Sequence, residues 1–370
     1  MPDAPRQGAG SGSYDPADVR LLLSPVRLAP TGVEEKERRI QTGAAHYSEM
    51  LSEESAPDER YLALFEAACV PGVPRLAREI RSLTGQILER VRSGRLNAEL
   101  TLCSLVRAGL PYGVLLRRDL ARFGVEAAHF GVSIIRDRGL DPVAIGRVLA
   151  ERPADGVVFV DGWTGKGAIS SELDASWRRI TGLAPLLAVI ADPCGRADLC
   201  ASREDWLIPS GLLGGVVTGL ISRTVLRPDL SGPDAYHGYV PLDHLAKTDV
   251  SRAFVNRVDA EVARAPAPAR PDPDAGPDRA ASFRERADRT ICLLSERFGI
   301  GNRNRIKPGL AEATRAVLRR RPDRVLIRSA GGDPDLAPLL HLCARSGVSV
   351  TPDPALTGPY RAITLIEKAD

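Results

Sequence analysis

Long apolar runs are absent from this chain of 370 residues. No stretch reaches the roughly 20 apolar residues that a membrane-spanning helix needs. The Gly-, Ser- and Pro-rich N-terminus, Met1–Asp15, lacks the apolar core of a signal peptide. With 44% hydrophobic and 26% charged residues, the composition is that of a globular protein. We therefore expect a cytoplasmic protein without a membrane anchor, and the length favours two or three domains.

Paired cysteines are also absent. Six cysteines are spread along the chain without a Cys-x-x-Cys pair, and the closest two, Cys194 and Cys200, have no histidine nearby. Because disulfides and structural zinc sites need paired or clustered ligands, we expect reduced thiols and no zinc.

The stretch 157–169 is the most informative part of the sequence. Val157–Val160 has four apolar, mostly β-branched residues, which is typical of a strand buried on both faces of a parallel sheet. Asp161 ends this strand, and the loop Gly162–Gly167 follows with three glycines, a threonine and a lysine before a helix can begin. Backbone N–H groups and a positive helix end would converge there, which favours a phosphate site.

Two common phosphate-binding sequences do not match this loop. The Walker A spacing fails because Gly167 follows Lys166, and the dinucleotide fingerprint fails because Ser170 stands where it needs glycine. The strand, the acid and the Thr-Gly turn resemble instead the phosphoribosyl-diphosphate loop of type I phosphoribosyltransferases. That family usually has two adjacent acids, whereas Gly162 follows Asp161 here. An ordinary strand-to-helix turn is the alternative interpretation.

Further strands alternate with helices on both sides of this loop. A helical region, Glu34–Arg92, comes first, and the crossover helix Pro142–Glu151 precedes the central strand. The other predicted strands are Leu100–Val106, Phe130–Ile135 and Pro185–Ile190. This alternation predicts an α/β fold with a parallel sheet and helices on both faces.

Loops at the carboxyl ends of parallel strands meet where such folds bind ligands. Three of these loops carry cations, namely Arg107 in the first, Arg136 and Arg138 in the second, and Lys166 in the third. Together they predict a site for a polyanion. The alternative is that these residues are ordinary surface charges.

Five segments in the same order carry a more specific resemblance. They are Ser104–Pro111, Val132–Gly139, Asp161–Gly167, Asp205–Ser210 and Gly219–Val225. Over about residues 20–262 the chain resembles a divergent bacterial phosphoribosyltransferase-like family. That family occurs with tellurium-resistance and stress-response operons and is also called the cysteine protease StiP family.

The resemblance implies a transferase that binds 5-phosphoribosyl 1-diphosphate with Mg²⁺ and passes phosphoribose to an unknown base or RNA-linked acceptor. It implies that Asp161 contacts the ribose and that Arg136 and Arg138 stabilise the departing diphosphate. It further implies that the 5′-phosphate lies on Thr164, Gly165, Lys166 and Gly167, and the diphosphate on Arg107, Ala108 and Gly109. A non-catalytic protein that senses a nucleotide and binds RNA is an alternative.

A cysteine protease is the third hypothesis. A thiol nucleophile needs a histidine base nearby in space. Cys103 lies in a predicted buried strand, and His129 and His237 are the candidate bases. Members of the resembling family carry a cysteine shortly after the Ile-Pro-Ser motif, where this chain has Leu212. We therefore rank proteolysis below phosphoribosyl transfer.

Small residues fill the apolar segment Gly211–Val217. They predict close packing, either beside the site or against a second copy of the chain in a homodimer.

A proline-rich segment, Ala265–Asp278, is typical of a linker between domains. We accordingly predict a disordered tail at 1–18, a phosphoribosyltransferase-like domain at 19–262, a linker at 263–280 and a second domain at 281–370. This second domain holds 16 of the 50 lysines and arginines but only 10 of the 47 acids, so the basic excess lies there.

Helices and strands alternate in the C-terminal domain, which we expect to be a small αβ sandwich. Over about residues 283–368 it resembles the Pelota-type RNA-binding module, through Gly301–Gly309 and Val325–Arg328. Arg303, Arg305 and Lys307 form the predicted RNA-binding patch. Because aromatic residues are few, recognition of structured RNA is the expected mode.

Overall fold

The structure is a computed structural model that describes residues 9–232, 234–267 and 277–368. Its strands up to residue 239 are β1 (Ala9–Gly10), β2 (Arg20–Leu22), β3 (Ser24–Pro25), β4 (Thr101–Leu105), β5 (Ala128–Val132), β6 (Ile134–Ile135), β7 (Gly139–Leu140), β8 (Val157–Trp163), β9 (Leu187–Ala191), β10 (Leu199–Ser202) and β11 (Gly238–Tyr239). The helices of the same part are α1 (Val33–Thr42), α2 (Glu59–Arg92), α3 (Leu110–Arg122), α4 (Pro142–Glu151), α5 (Ala168–Thr181), α6 (Pro228–Ser231) and α7 (Ser251–Arg264).

The main sheet has the strand order β1-β2-β5-β4-β8-β9-β10, and all its strands except β1 run parallel. Residues of β8 alternate between two cores. Val158 and Val160 pack with α2, α3 and α7, whereas Val157 and Phe159 pack with α4 and α5. The predicted α/β fold with helices on both faces of a parallel sheet is therefore confirmed.

One predicted strand is divided in the structure. The segment 130–135 begins in β5, but the chain leaves the sheet after Val132, and β6 pairs with β7 in a separate hairpin. Ser133 explains the break, because its carbonyl accepts a hydrogen bond from the Asp141 N–H and its hydroxyl donates to Thr224. The sequence shows only a continuous apolar run and not these distant partners.

The N-terminal segment also differs from its prediction. Within the predicted disordered tail, residues 9–18 pack on the domain: β1 pairs antiparallel with β2, and the buried Tyr14 donates a 3.0 Å hydrogen bond to the Val217 carbonyl. Residues 1–8 of that prediction lie outside the described residues.

Helices extend into both ends of the predicted linker, 263–280. Helix α7 continues to Arg264, and the next helix, α8 (Pro277–Arg297), begins before residue 280. Residues 268–276 of the predicted linker lie outside the described residues.

The C-terminal domain is built on a sheet of order β12-β15-β13-β14. Its elements are β12 (Ile306–Pro308), α9 (Leu310–Arg319), β13 (Pro322–Ile327), α10 (Ala337–Ser346), β14 (Ser349–Pro352), α11 (Pro354–Thr357) and β15 (Ala362–Ile366). Helix α8 packs on one face of this sheet. Helices α9 and α10 pack on the other face, in the same apolar cluster as α2 and α3 of the first domain.

The two domains therefore dock against each other instead of being separated by the linker. Asp205 lies at the centre of this contact: its carboxylate accepts the Leu310 N–H at 3.0 and 3.1 Å and the Arg361 N–H at 2.7 Å. Arg320 also pairs with Glu37 across the interface. Sequence reasoning missed this docking because each contact joins residues far apart in the chain.

Replacing Asp205 tests the docked arrangement. In Asp205→Ala, buried N–H groups lose their shared acceptor, so we expect the free energy of unfolding to fall by about 2–3 kcal/mol. Chemical denaturation measures this change, with the exposed Asp234→Ala as the matched control. Equal stability of both variants would contradict the described interface.

Candidate functional site in the interdomain cleft

A cleft of about 820 Å³ lies at the carboxyl ends of the central strands and is closed from the other side by the C-terminal domain. The predicted site residues that line it are Ala108, Arg136, Arg138, Asp161, Thr164, Gly165, Lys166, Gly167, Arg305 and Lys307. The three predicted residues outside its lining are Arg107, Gly109 and Arg303. The structure thus brings most of the predicted residues of both domains to one place.

Asp161 extends from β8 into this cleft, and the strand continues past it to Trp163 instead of ending at Asp161 as predicted. Its Oδ1 accepts a 2.8 Å hydrogen bond from the Gly162 N–H. Burial raises the pKa of the Asp161 carboxyl to about 7, although the nearby Arg315 opposes the shift. Near neutral pH this carboxyl is therefore poised between its two protonation states.

The turn after β8 leads directly into α5. Gly167 has φ = +83°, the left-handed region that favours glycine, and no side chain caps the first turn of α5. Because the first N–H groups of a helix have no partner within it, this helix start can receive an anion. Thr164 takes a structural role, since its hydroxyl donates to Asp192 Oδ1 at 2.5 Å.

Lys166 reaches across the cleft to the C-terminal domain. Its Nζ donates to the carbonyls of Arg303 at 2.5 Å and Ile306 at 3.2 Å. Burial, with the charge of Lys307, lowers the pKa of Lys166 to about 7. The ammonium has three N–H donors, so one remains for a ligand.

Arg136 lies in the loop between β6 and β7, which packs beside α5: the N–H of the next residue, Asp137, donates to Glu172 Oε2 at 2.7 Å. Its Nη1 donates to Asn304 Oδ1 at 2.9 Å, and its guanidinium stacks on the Tyr47 ring at 4.9 Å. Its Nε is buried without a hydrogen-bond partner among the described residues. Arg138 is exposed at the cleft edge, so both arginines can meet an anion.

Arg107 does not face the cleft, contrary to its predicted place in the site. The Val106–Arg107 peptide bond is cis, and the buried guanidinium pairs with Glu54 and donates to the Ile221 carbonyl at 2.7 Å. Gly109 also has a packing role, because a Cβ there would lie 2.1 Å from the Val160 carbonyl oxygen. The charge of Arg107 is thus neutralised within the protein, and Ala108 is the residue of this loop that reaches the cleft.

The predicted RNA-binding patch is divided between the cleft and the surface. Lys307 points into the cleft, where burial lowers its pKa to about 8, and Arg305 lines the edge of the cleft. Arg303 is exposed, with its Nη2 3.5 Å from the Cys292 sulfur. Only part of the patch therefore remains on the outer surface in the docked structure.

Sequence reasoning did not predict that helix α9 of the C-terminal domain contributes to the cleft. Glu312, Arg315 and Arg319 project from α9, and Lys36 joins them from α1. Glu312, Arg315 and Arg319 are spaced by three and four residues, which places them on one face of α9. The sequence contained this signal. Whether this face points into the cleft depends on how the two domains dock.

Burial keeps the thiols of the three cysteines nearest the predicted site protonated. Burial raises the pKa of Cys194 to about 12 and that of Cys200 to about 11, and it raises the pKa of Cys103 even further. Among the described residues, no cysteine sulfur hydrogen-bonds to a histidine. Because the thiolate is the nucleophile, these environments oppose thiol catalysis.

The two candidate histidine bases form hydrogen bonds with serine side chains in the core and not with a cysteine. His129 Nε2 lies 2.8 Å from Ser104 Oγ, and His237 Nδ1 lies 2.8 Å from Ser133 Oγ. Burial lowers the pKa of His129 to about 4. Leu212, which the resemblance places at the family's cysteine position, is buried, and its carbonyl accepts from the Tyr61 hydroxyl at 3.0 Å.

The segment 211–217 packs within its own chain. A Cβ on Gly215 would lie 3.4 Å from Arg107 Nη1, and a Cβ on Gly211 would lie 3.2 Å from the Ala311 Cβ. The small residues therefore allow close packing beside the site, the first of the two predicted alternatives. In the described part of the chain, no helix is both long and apolar enough to cross a membrane.

The fold and cleft define a two-domain α/β protein with a cation-rich site between its domains. Residues 12–259 match the family described as "Tellurite-like stress resistance cysteine protease StiP", and residues 285–368 match the "PELOTA RNA binding domain". The chain is 40% identical over 373 residues to the cysteine protease StiP of Acinetobacter baylyi, covering 97% of this chain and 94% of that protein. The chain belongs to the StiP family, with a C-terminal Pelota RNA-binding domain, and both resemblances drawn from the sequence are confirmed.

Two solved structures share a weaker likeness. The hypoxanthine phosphoribosyltransferase of Trypanosoma cruzi is 14% identical with a TM-score of 0.28, covering 36% of this chain and 81% of that one. The HGPRT-ase of Leishmania tarentolae in complex with GMP is 14% identical with a TM-score of 0.27, covering 35% and 75%. This likeness is too weak to support a conclusion about activity.

Three lysines of the cleft have lowered pKa values, from which we predict that the protein takes up protons when an anion binds. Burial lowers the pKa values of Lys36 and Lys307 to about 8 and that of Lys166 to about 7, from 10.5. The unfolded chain thus binds more protons between about pH 7 and pH 10, and these lysines make stability rise with pH there. A bound anion favours the charged lysines and raises their pKa values.

We therefore expect the protein to take up protons when sulfate, an anion that carries no proton of its own at pH 8, binds at that pH. Calorimetric titrations in buffers of different ionisation enthalpy measure this uptake, and Lys166→Met should reduce it. Proton release, or binding heats that do not depend on the buffer, would contradict the described cleft.

Proposed function

We propose that the protein is a phosphoribosyltransferase that uses 5-phosphoribosyl 1-diphosphate as donor. The observation that supports this most strongly is that Asp161, the turn 164–167 and Arg136 line one cation-rich cleft. The cleft volume of about 820 Å³ has room for the donor and for an acceptor group.

In this proposal each part of the cleft binds one part of the donor. The start of α5 and Lys166 bind the 5′-phosphate, because N–H groups and a cation converge there. Asp161 accepts a hydrogen bond from a ribose hydroxyl. Arg136 and Arg138 bind the diphosphate, whereas Arg107 takes no part because Glu54 already pairs with it.

The reaction breaks the bond between ribose C1 and the diphosphate oxygen and forms a bond from C1 to the acceptor. Positive charge develops on the sugar ring and negative charge on the leaving diphosphate as this bond breaks. Arg136 and Arg138 counter the negative charge, and a site that already carries these cations needs little reorganisation during the step. Asp161 lies on the sugar side, where a carboxylate favours the positive charge.

Mg²⁺ would enter together with the donor. Among the described residues, no group of three or more His, Cys, Asp or Glu side chains could hold a metal ion. Mg²⁺ commonly uses one or two carboxylates together with substrate phosphates and water, and Asp161 and Glu312 are two of the four carboxylates that line the cleft, with Glu49 and Asp137. The ion would neutralise charge on the diphosphate oxygens.

The cysteine protease activity named for the family is the weaker candidate for this chain. Buried thiols of high pKa without a histidine partner do not support it, and Leu212 cannot act as a nucleophile. A non-catalytic sensor would use the same cleft, so turnover distinguishes it from the transferase.

Binding of 5-phosphoribosyl 1-diphosphate with Mg²⁺ to the full chain tests the proposal. Asp161→Asn should weaken binding about tenfold, since a charged hydrogen bond contributes about 1.5–3 kcal/mol. Titration calorimetry measures the affinity, with the exposed Asp234→Asn as the control. Release of pyrophosphate with candidate bases then separates a transferase from a sensor, and absence of binding would refute both.

We also propose that the C-terminal domain docks RNA through its exposed cation Arg303. Affinity of the full chain for structured RNA should fall steeply with salt concentration, because phosphate contacts release counterions. Arg303→Ala should weaken binding and flatten the salt dependence, while Arg297→Ala, on an exposed part of α8, should change neither. Affinity that is indifferent to salt and to Arg303→Ala would refute RNA docking through this residue.

A further inference from the structure

Side chains of helix α9 in the C-terminal domain contact the last residue of β8 and the turn that follows it. A Cβ on Gly165 would lie 3.2 Å from Glu312 Cδ and 3.3 Å from its Oε2. One turn further along α9, the Arg315 guanidinium lies over the Trp163 ring at 4.6 Å. These two contacts place the carboxylate of Glu312 against the same turn that follows Asp161.

The carboxylate of Glu312 has unused capacity to accept hydrogen bonds. Its Oε2 is buried and has no hydrogen-bond partner among the described residues. Asp161 uses Oδ1 for the N–H of the neighbouring Gly162. Because a buried carboxylate oxygen without a partner is costly, an acceptor in this position indicates that a donor completes the site when a ligand binds.

Charges around Glu312 divide the cleft into two kinds of binding surface. Lys166 and Lys307 interact electrostatically with Glu312, and Arg136 lies near both lysines. Cations of this density suit phosphate oxygens, which the two carboxylates would repel. Hydroxyl groups suit the carboxylates, because each O–H donates to a carboxylate oxygen. A ligand with both phosphate and hydroxyl groups satisfies the whole cleft.

We propose that Glu312 is the second carboxylate of the site, and that it and Asp161 accept hydrogen bonds from two hydroxyls of a sugar phosphate. This inference rests on the proposed function and extends it. In β8, Gly162 stands beside Asp161, so this strand supplies only one acid to the cleft. The other acid comes from the Pelota domain, which thereby takes part in recognition of the sugar as well as in RNA docking.

The docked interface is then a requirement for sugar recognition. Asp205 holds the start of α9 through the Leu310 N–H, two residues before Glu312. Gly309, with φ = +91°, lets the chain turn from β12 into α9 at this contact. The interface thus fixes the position from which Glu312 reaches the turn.

Affinities of the full chain for ribose 5-phosphate, 2-deoxyribose 5-phosphate and inorganic phosphate test the inference. The wild-type protein should bind ribose 5-phosphate more tightly than the 2-deoxy sugar, which lacks one hydroxyl. Glu312→Gln should weaken the binding of ribose 5-phosphate about tenfold and remove most of the preference for it over the 2-deoxy sugar. Inorganic phosphate should bind Glu312→Gln at least as tightly as the wild type, because a negative charge has been removed from the cleft.

A control variant and a fold check accompany these titrations. Glu296→Gln changes an exposed acid of α8 and should bind all three probes like the wild type. Thermal unfolding shows whether Glu312→Gln keeps the native stability, and Glu312→Ala provides a second variant. A parallel loss of inorganic phosphate binding in Glu312→Gln would indicate a structural role only and would overturn the inference.

The remaining outcomes separate the two proposals. If Glu312→Gln binds ribose 5-phosphate like the wild type while Asp161→Asn has lost affinity, the inference is wrong and the proposed function stands. If the wild-type protein does not bind ribose 5-phosphate, the inference is wrong, and the titration with 5-phosphoribosyl 1-diphosphate and Mg²⁺ decides the proposed function separately. If Asp161→Asn has no effect in either titration, both are wrong.

Discussion

The structure depends on one buried carboxylate at the boundary between the domains. Asp205 accepts hydrogen bonds from two backbone N–H groups of the C-terminal domain, at Leu310 and at Arg361. Both bonds fix elements that line or support the cleft, because Leu310 begins α9 and Arg361 precedes β15. A carboxylate is suited to this position since it can accept several donors at once. The cleft therefore exists as a site only while the two domains are docked.

Docking also explains the unusual electrostatics of the cleft. Lys166, Lys307 and Arg315 come from both domains and are brought together in a largely buried space. Burial lowers the pKa of each of them, and repulsion from neighbouring cations adds to the effect. Assembling these cations costs free energy that an anionic ligand can recover on binding. The same arrangement explains why part of a motif predicted to contact RNA, Arg305 and Lys307, faces the interdomain cleft.

The sequence predicted features that local pattern determines. Val157–Val160 was identifiable as a central strand because burial on both faces leaves an unbroken apolar run, and the turn that follows it was identifiable from its glycines and Lys166. Arg107 was misplaced because its partner, Glu54, lies 53 residues away. Glu312 was missed because its role depends on which face of α9 meets β8. These are consequences of tertiary contacts, which periodicity and spacing do not specify.

The central claim is that one cleft, built by both domains, binds a sugar phosphate. A crystal structure of the full chain with 5-phosphoribosyl 1-diphosphate and Mg²⁺ tests it most directly. The account predicts that a phosphate lies at the start of α5 beside Lys166 and that the ribose hydroxyls lie between Asp161 and Glu312. A ligand bound outside the cleft, or a bound state in which α9 has moved away from β8, would contradict it.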